Sequence, residues 1–259
     1  MTVRVAVLGP SGRMGRRVLE LAAASGELEV AAAIDAPDSP LVGQSIGGVT
    51  IGGDLAAGLR GCEVYVDFTT PAATEAAARA AAGARIAAVV GTTGLGAAAE
   101  RALDELAAVA PVLVAANFSL GVNLLLILAE TAARALGPAV DVEVVELHHK
   151  HKRDAPSGTA LALARALAAG RGQDLDQVLR TERSGEVGAR PGGEIGVMAV
   201  RGGDVVGEHT AYLFGDGERI ELTHRAASRD LFAAGALRAA AWLAGRAPGR
   251  YTMRDVLGL

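Results

Sequence analysis

The chain has a single cysteine, Cys62, which excludes an internal disulfide and a multi-cysteine metal site. It lies in a segment expected to be buried and reads as a small core residue. Aromatic residues are 3% of the chain, and the one tryptophan, Trp242, is assigned to core packing. An excess of positive charge is also missing. The 25 Lys and Arg against 29 Asp and Glu leave a formal charge of −4, which argues against a dedicated nucleic-acid binder. No stretch reads as a membrane span; the alanine-rich segment from Ala72 to Ala82 carries Glu75 and Arg79 and reads as a helix packed on a sheet. No signal peptide precedes the first apolar strand, so a cytoplasmic protein is expected. With 51% hydrophobic and 21% charged residues disorder is excluded, and 259 residues suffice for one large domain or two modest ones. No internal repeat or low-complexity linker interrupts the chain.

The first half alternates strands and helices. Val3 to Leu8 is a short apolar strand that ends in Gly9-Pro10-Ser11-Gly12-Arg13-Met14-Gly15, and an amphipathic helix follows from Arg13 to Ala24. A second strand, Glu29 to Ile34, ends at Asp35, 20 residues after Gly15. Strand, glycine turn, helix, strand and acid in this order suit a dinucleotide: glycines let the backbone approach a pyrophosphate, and the helix start supplies N–H groups. Asp35 is then placed to accept hydrogen bonds from a ribose. The spacing is G-x-x-G-x-x-G and departs from the commoner G-x-G-x-x-G. Strands at Glu63–Asp67, Arg85–Val90 and Pro111–Ala115 and helices at Pro71–Ala82 and Gly96–Val109 continue the pattern. This predicts a parallel sheet covered on both faces. Its strands end in Phe68-Thr69-Thr70, Gly91-Thr92-Thr93-Gly94 and Asn117-Phe118-Ser119, three loops where such sheets bind ligands.

The second half reads differently. An apolar helix over Leu120–Leu136 leads into a strand (Val140 to Val145, Glu146) that ends in His148-His149-Lys150-His151-Lys152. Three of five histidines therefore sit within five residues, beside the start of a helix at Ser157 that runs to about Ala168. Histidine moves protons near neutral pH, lysine suits carboxylates, and a helix start favours anions. A glycine-rich, charged loop from Gly170 to Gly193 follows. Strands at Glu194–Val200, Val205–Phe214 and Arg219–His224 come next, the last two joined by Gly215-Asp216-Gly217. The expectation is α/β overall. A Rossmann-like parallel sheet forms a dinucleotide-binding domain (1–119 and 229–259), and a smaller α+β domain (120–228) with an open mixed sheet serves substrate binding and oligomerisation. The helix Ala233–Leu243 returns to the first domain, the join near Asn117–Gly121 is a short hinge, and a subunit partner is the natural cover of the open face.

The run from Glu146 to Ala160, E-L-H-H-K-H-K-R-D-A-P-S-G-T-A, resembles the signature of the 4-hydroxy-tetrahydrodipicolinate (dihydrodipicolinate) reductase family. The resemblance extends through Gly9–Gly15, Asp67-Phe68-Thr69, Gly91–Gly94, Ala115–Ser119, Gly207–Thr210 and Met253–Leu257, and so covers essentially the whole chain. It implies reduction of a cyclic imine dicarboxylate by NADH or NADPH in diaminopimelate and lysine biosynthesis, in a homotetramer and with no metal. It also implies catalytic roles for His148, the proton donor/acceptor, and Lys152, a further proton donor. His149, Gly158 and Thr159 match substrate-binding positions, and the Ser157 to Thr159 N–H groups are added as donors for the two carboxylates. Cofactor contacts fall to Gly9, Pro10, Ser11, Gly12, Arg13 and Met14, to Asp35, and to Gly91, Thr92 and Thr93. Ala115, Ala116, Asn117 and Phe118 complete that set, with Phe68 joining it from the strand-end loops.

Where some family members carry an arginine after the acid of the second strand, this chain has Ala36, so Asp35-Ala36 tilts toward NADH. Arg13 and Arg16 leave dual use open. On an extended segment His149 and His151 share a face and His148 points oppositely, so the segment must bend for His148 and His149 to face one ligand. His151 is left open, and His209 and His224 are read as structural. Two rivals stand beside the reductase: a related dehydrogenase acting on another carboxylate, and a catalytically silent nucleotide-sensing protein on the same fold.

Overall fold

The computed structural model describes residues 2–259. The chain divides into two compact units, one reaching to Leu120 and resuming at Asp230–Leu259, the other spanning Gly121–Arg229.

In the first unit, β1 (Val3–Leu8) is flanked by β2 (Leu28–Ile34) and β5 (Val64–Asp67), both parallel to it. The remaining strands are β3 (Ser45–Ile46), β4 (Val49–Gly52), β6 (Ala87–Val90), β7 (Pro111–Val114) and β13 (Gly249–Tyr251). They give the order β13-β7-β6-β5-β1-β2-β4-β3, parallel except for β3 against β4. Side chains alternate between faces, as period-2 geometry requires. Val5, Val7, Val64, Val66 and Val89 pack under α1 (Arg13–Ala24), α8 (Asp230–Leu243) and α9 (Met253–Leu257). Ala6, Leu8, Tyr65, Ala88 and Val90 pack under α3 (Pro71–Ala84) and α4 (Ala97–Ala107). Both faces are buried, which is why the strands read as near-continuous apolar runs. The alanines of α3 have a packing role: Ala77, Ala78 and Ala81 are fully buried. Cys62 is buried, and Trp242 packs on the core with Tyr251 edge-on at 5.4 Å.

Chain order reverses at β1, which β2 flanks on one side and β5 on the other. Leu8 is level with both Ile34 and Asp67, so three strand ends open at one crevice. The sequence reading missed β3, β4 and the short helix α2 (Leu55–Leu59) in between, all of them too brief to show a period. Arg85, expected to open β6, adopts a left-handed conformation (φ 54°) and closes α3 instead.

The second unit holds a five-stranded mixed sheet in the order β12-β11-β8-β10-β9. These are β8 (Asp141–His148), β9 (Leu179–Arg180), β10 (Ile195–Arg201), β11 (Gly207–Gly215) and β12 (Glu218–Ala226). β11 and β12 form the expected hairpin, with Gly215 opposite Glu218. Val142, Val144, Val197, Ala211 and Leu213 pack with α5 (Leu120–Leu136) and α6 (Gly158–Gly170). Within the stretch read as a loop, α7 (Leu175–Val178) and β9 form, β9 pairing with β10. The span Leu120–Ala139 is long and apolar enough to cross a membrane by length and composition alone. Its Val122, Leu125, Ala129 and Ala133 are buried, the pattern of a helix packed on a core.

Candidate active site

The first unit carries a cleft of about 770 Å³ where β1, β2 and β5 end. Of the cofactor residues expected from the sequence, Gly9, Ser11, Gly12, Asp35 and Phe68 line it, together with Ala36, Asp54 and Thr69. Gly9 takes φ +71°, a conformation that favours glycine, and its N–H reaches Ile34 O at 2.9 Å. Gly15 serves close packing: a Cβ there would run into the Gly9 carbonyl. Gly12 precedes α1 without any side-chain cap, so the first N–H groups of that helix have no side-chain acceptor from it. Asp35 bridges the turn and the strand end, Oδ2 accepting from Ser11 N (2.9 Å) and Oδ1 from Ala36 N (2.8 Å). A glycine cradle, an uncapped helix start and a carboxylate at the next strand end fit a nicotinamide dinucleotide.

The other expected cofactor residues are placed differently. Pro10, Arg13, Met14, Gly91 to Thr93 and Ala115 to Phe118 are not part of the cleft wall. Met14 packs against the core and Phe118 is buried, its ring edge-on to Phe68 at 5.6 Å. Gly91 clears the Phe68 ring, which a Cβ would overlap. Thr92 Oγ1 donates inward to Asp67 Oδ1 at 3.2 Å, and Asn117 Oδ1 accepts from Ser119 N at 2.8 Å.

Asp67 is the group the sequence reading missed here. Its carboxylate is fully buried and takes Thr69 N (2.9 Å), Thr69 Oγ1 (2.5 Å), Thr74 Oγ1 (2.6 Å) and Thr92 Oγ1. An apolar strand that ends in an acid, followed by threonines two and seven residues on, was the available signal.

In the second unit, β8 ends at His148 and the chain turns at once, with Lys152 N donating to His149 O at 3.1 Å. The required bend is therefore present. His148 Nδ1 lies 2.6 Å from Oε2 of Glu146, and the Glu146 carboxylate is fully buried. Burial would raise that carboxyl, but Arg201, His148 and the Ser157 N–H outweigh it and hold it below its ordinary value. His149 sits with Nε2 at 3.2 Å from Arg229 and its ring 6.2 Å from that of His151. Desolvation first, then the positive charge of Arg229, pushes His149 down. Lys152 pairs with Asp154 at 2.9 Å.

One expectation needs correction. The Ser157 N–H is not open to a ligand, since it donates to Glu146 Oε1 at 2.9 Å. Its Oγ caps α6 by accepting from Ala160 N (3.1 Å) and meets His209 Nε2 at 3.1 Å. Ser157 thus organises the helix start, and Gly158 and Thr159 follow it in the first turn of α6. His209, read as structural, packs edge-on to His148 with centroids 5.1 Å apart, and burial pushes it down to about 4. Register brings it there: His209 lies opposite Glu146 across the β8–β11 ladder, a pairing 63 residues apart in sequence.

Comparison with known proteins accounts for both units. Residues 3–118 match the family described as dihydrodipicolinate reductase, N-terminus, and residues 121–257 its C-terminus. The chain belongs to the dihydrodipicolinate reductase family. A 4-hydroxy-tetrahydrodipicolinate reductase of Alkalilimnicola ehrlichii is 51% identical, and one of Thiobacillus denitrificans 50%, each alignment covering both chains completely. A solved dihydrodipicolinate reductase from Paenisporosarcina sp. TG-14, bound to dipicolinate, has the same fold, with TM-score 0.80 over 98% of this chain and 99% of its own at 24% identity. For a reductase of this family, the cleft in the first unit is where a nicotinamide dinucleotide fits. The polar cluster of the second unit lies within the stretch that matches the family's C-terminal part.

Proposed function

We propose that this reductase converts 4-hydroxy-tetrahydrodipicolinate to tetrahydrodipicolinate in diaminopimelate and lysine biosynthesis. One observation carries the site assignment: the turn bearing His148, His149 and Lys152 is tied to the start of α6 through Glu146, which contacts both His148 Nδ1 and Ser157 N. Proton-transfer groups, cations and helix N–H donors are thereby gathered at the end of one strand.

Gly9, Ser11 and Gly12 would hold the pyrophosphate, Asp35 the ribose, and Phe68 would lie against the dinucleotide. The bound cofactor supplies a hydride. Adding it to a conjugated imine leaves electron density that must be protonated, which is the role of His148, with Lys152 as a further donor. Thr159 Oγ1, the Gly158 N–H, His149 and Lys152 then bind the two carboxylates. Arg229, not anticipated from the sequence, joins them through its contact with His149.

Asp35 followed by uncharged Ala36 favours NADH, used at least as well as NADPH. A homotetramer covers the open sheet face, where Phe214 and Val200 are 37% and 47% exposed. A cytoplasmic location suits a reaction that draws on the reduced nicotinamide pool. The test is nicotinamide oxidation with substrate made in situ from pyruvate and aspartate semialdehyde by a dihydrodipicolinate synthase. Oxidation that requires both synthase and this protein supports the assignment; none with either cofactor, from folded protein and verified substrate, refutes it.

A further inference from the structure

Glu146 and His148 lie two residues apart on one face of β8, the spacing that lets neighbouring side chains of a strand face meet. The carboxylate accepts four donors. Arg201 gives Nη1 to Oε2 (2.7 Å) and Nη2 to Oε1 (2.8 Å), Ser157 N takes Oε1 at 2.9 Å, and His148 Nδ1 takes Oε2 at 2.6 Å. Arg201 is itself fixed, standing opposite His148 in the parallel ladder and donating to Asp154 O at 2.7 Å and to Val200 O at 2.8 Å.

Resting on the reading of His148 as proton donor, we propose that Glu146 is its positioning residue: the buried carboxylate holds the ring by Nδ1 and reserves Nε2 for the exchanged proton. A carboxylate can only accept, so Nδ1 carries hydrogen and the neutral ring has its lone pair at Nε2. Arg201 balances the carboxylate charge, so Glu146 sets the orientation and tautomer of the ring more than its charge. The surroundings of Nε2 agree. A Cβ at residue 207 would come to 2.9 Å from it, and glycine leaves that space clear. Two further histidines lie near the ring, His209 on β11 and His149 on the following turn, and Lys152 adds positive charge to both. Both are pushed toward the neutral form, so neither competes strongly for the proton.

The deciding variant is Glu146→Gln. In either amide orientation its NH₂ replaces an oxygen that now accepts from two N–H groups, so the four donors cannot all be satisfied. The expected result is a fall in kcat of about 10²- to 10⁴-fold, the range a positioned general acid contributes. KM for substrate and Kd for NADH should change little, and Glu146→Asp should recover part of kcat. Unchanged kcat in Glu146→Gln, or loss confined to KM and stability, overturns the proposal. A measurement that needs no variant is the ¹⁵N–¹H long-range spectrum of the imidazoles, at a pH where His148 is neutral. It should show the Nδ1–H tautomer at His148; an Nε2–H tautomer overturns the proposal even if the variant fails to fold. His148→Gln with full kcat would instead refute the proton-donor role, so the two failures are told apart.

Discussion

Replacing Asp35 by alanine tests cofactor choice where the geometry is most explicit. The carboxylate accepts one N–H from Ser11 and one from Ala36, and among the described residues no cation forms an ion pair with it. Like unit charges about 4 Å apart repel by ~1 kcal/mol under water-like screening. A phosphate carrying about −1.5 to −2 therefore loses ~2 kcal/mol beside this carboxylate. A ribose diol instead gains hydrogen bonds to a charged acceptor, each worth ~1.5–3 kcal/mol. Counting one such bond, these amount to ~3.5–5 kcal/mol in favour of NADH, reduced by whatever Arg13 and Arg16 return to a 2′-phosphate. At ~1.4 kcal/mol for each tenfold step, Asp35→Ala should shift the ratio of kcat/KM for NADPH over NADH upward by at least about tenfold. Most of the shift should come from poorer use of NADH. Steady-state oxidation of both cofactors by wild type and variant provides the check. A wild type that prefers NADPH by more than about tenfold, or a ratio untouched by the substitution, refutes the electrostatic account.

Lys152→Ala should lose most of its activity while NADH affinity, read by fluorescence titration of the folded variant, stays near wild type; marked weakening would count against a role on substrate. Gly207→Ala should lower kcat at least about tenfold, the cost of displacing an acid that contributes ~10²–10⁴. Full kcat would mean the space beside His148 Nε2 is not used, and the ring shift forced by a Cβ at 2.9 Å should also lower stability, by ~1–3 kcal/mol. His209 sits in the fold at about 4 against 6.5 outside it, burial and then His148 being the causes. The unfolded chain therefore binds its proton first, and stability should fall as pH drops from about 6.5 toward 4, by up to ~3 kcal/mol. Denaturant midpoints for wild type and His209→Gln across that window should show a shallower slope in the variant; equal slopes would remove His209 as the cause.

What could be read from sequence was what repeats or sits in an unbroken run. α1 is found at Arg13–Ala24 as read, because its apolar period is clear and a glycine turn precedes it. The cluster at β8 was visible because five consecutive residues carry it. Contributions from distant strands were not. Arg201 meets Glu146 across 55 residues and Arg229 meets His149 across 80, pairings that strand register and loop path decide. Residues assigned to the cofactor by resemblance also divide on physical grounds. Gly9, Gly12 and Asp35 line the cleft, whereas the side chains of Thr92 and Phe118 are turned inward to support Asp67 and Phe68.

The same device recurs in both units. Asp67 closes β5 and Glu146 stands two residues from the end of β8, and each carboxylate is fully buried. Each fills its lone pairs with donors from the segments that bear the candidate site: threonines of the next two strand-end segments for Asp67, the α6 start and Arg201 for Glu146. A buried carboxylate without partners would cost several kcal/mol, so these loops are fixed in the arrangement that satisfies it. The two solutions differ in charge. Asp67 is met by hydroxyls and one amide, Glu146 by a guanidinium as well. The cation sits beside the proposed proton donor: Arg201 and His148 share Oε2 of Glu146, so the guanidinium balances the carboxylate charge next to the ring.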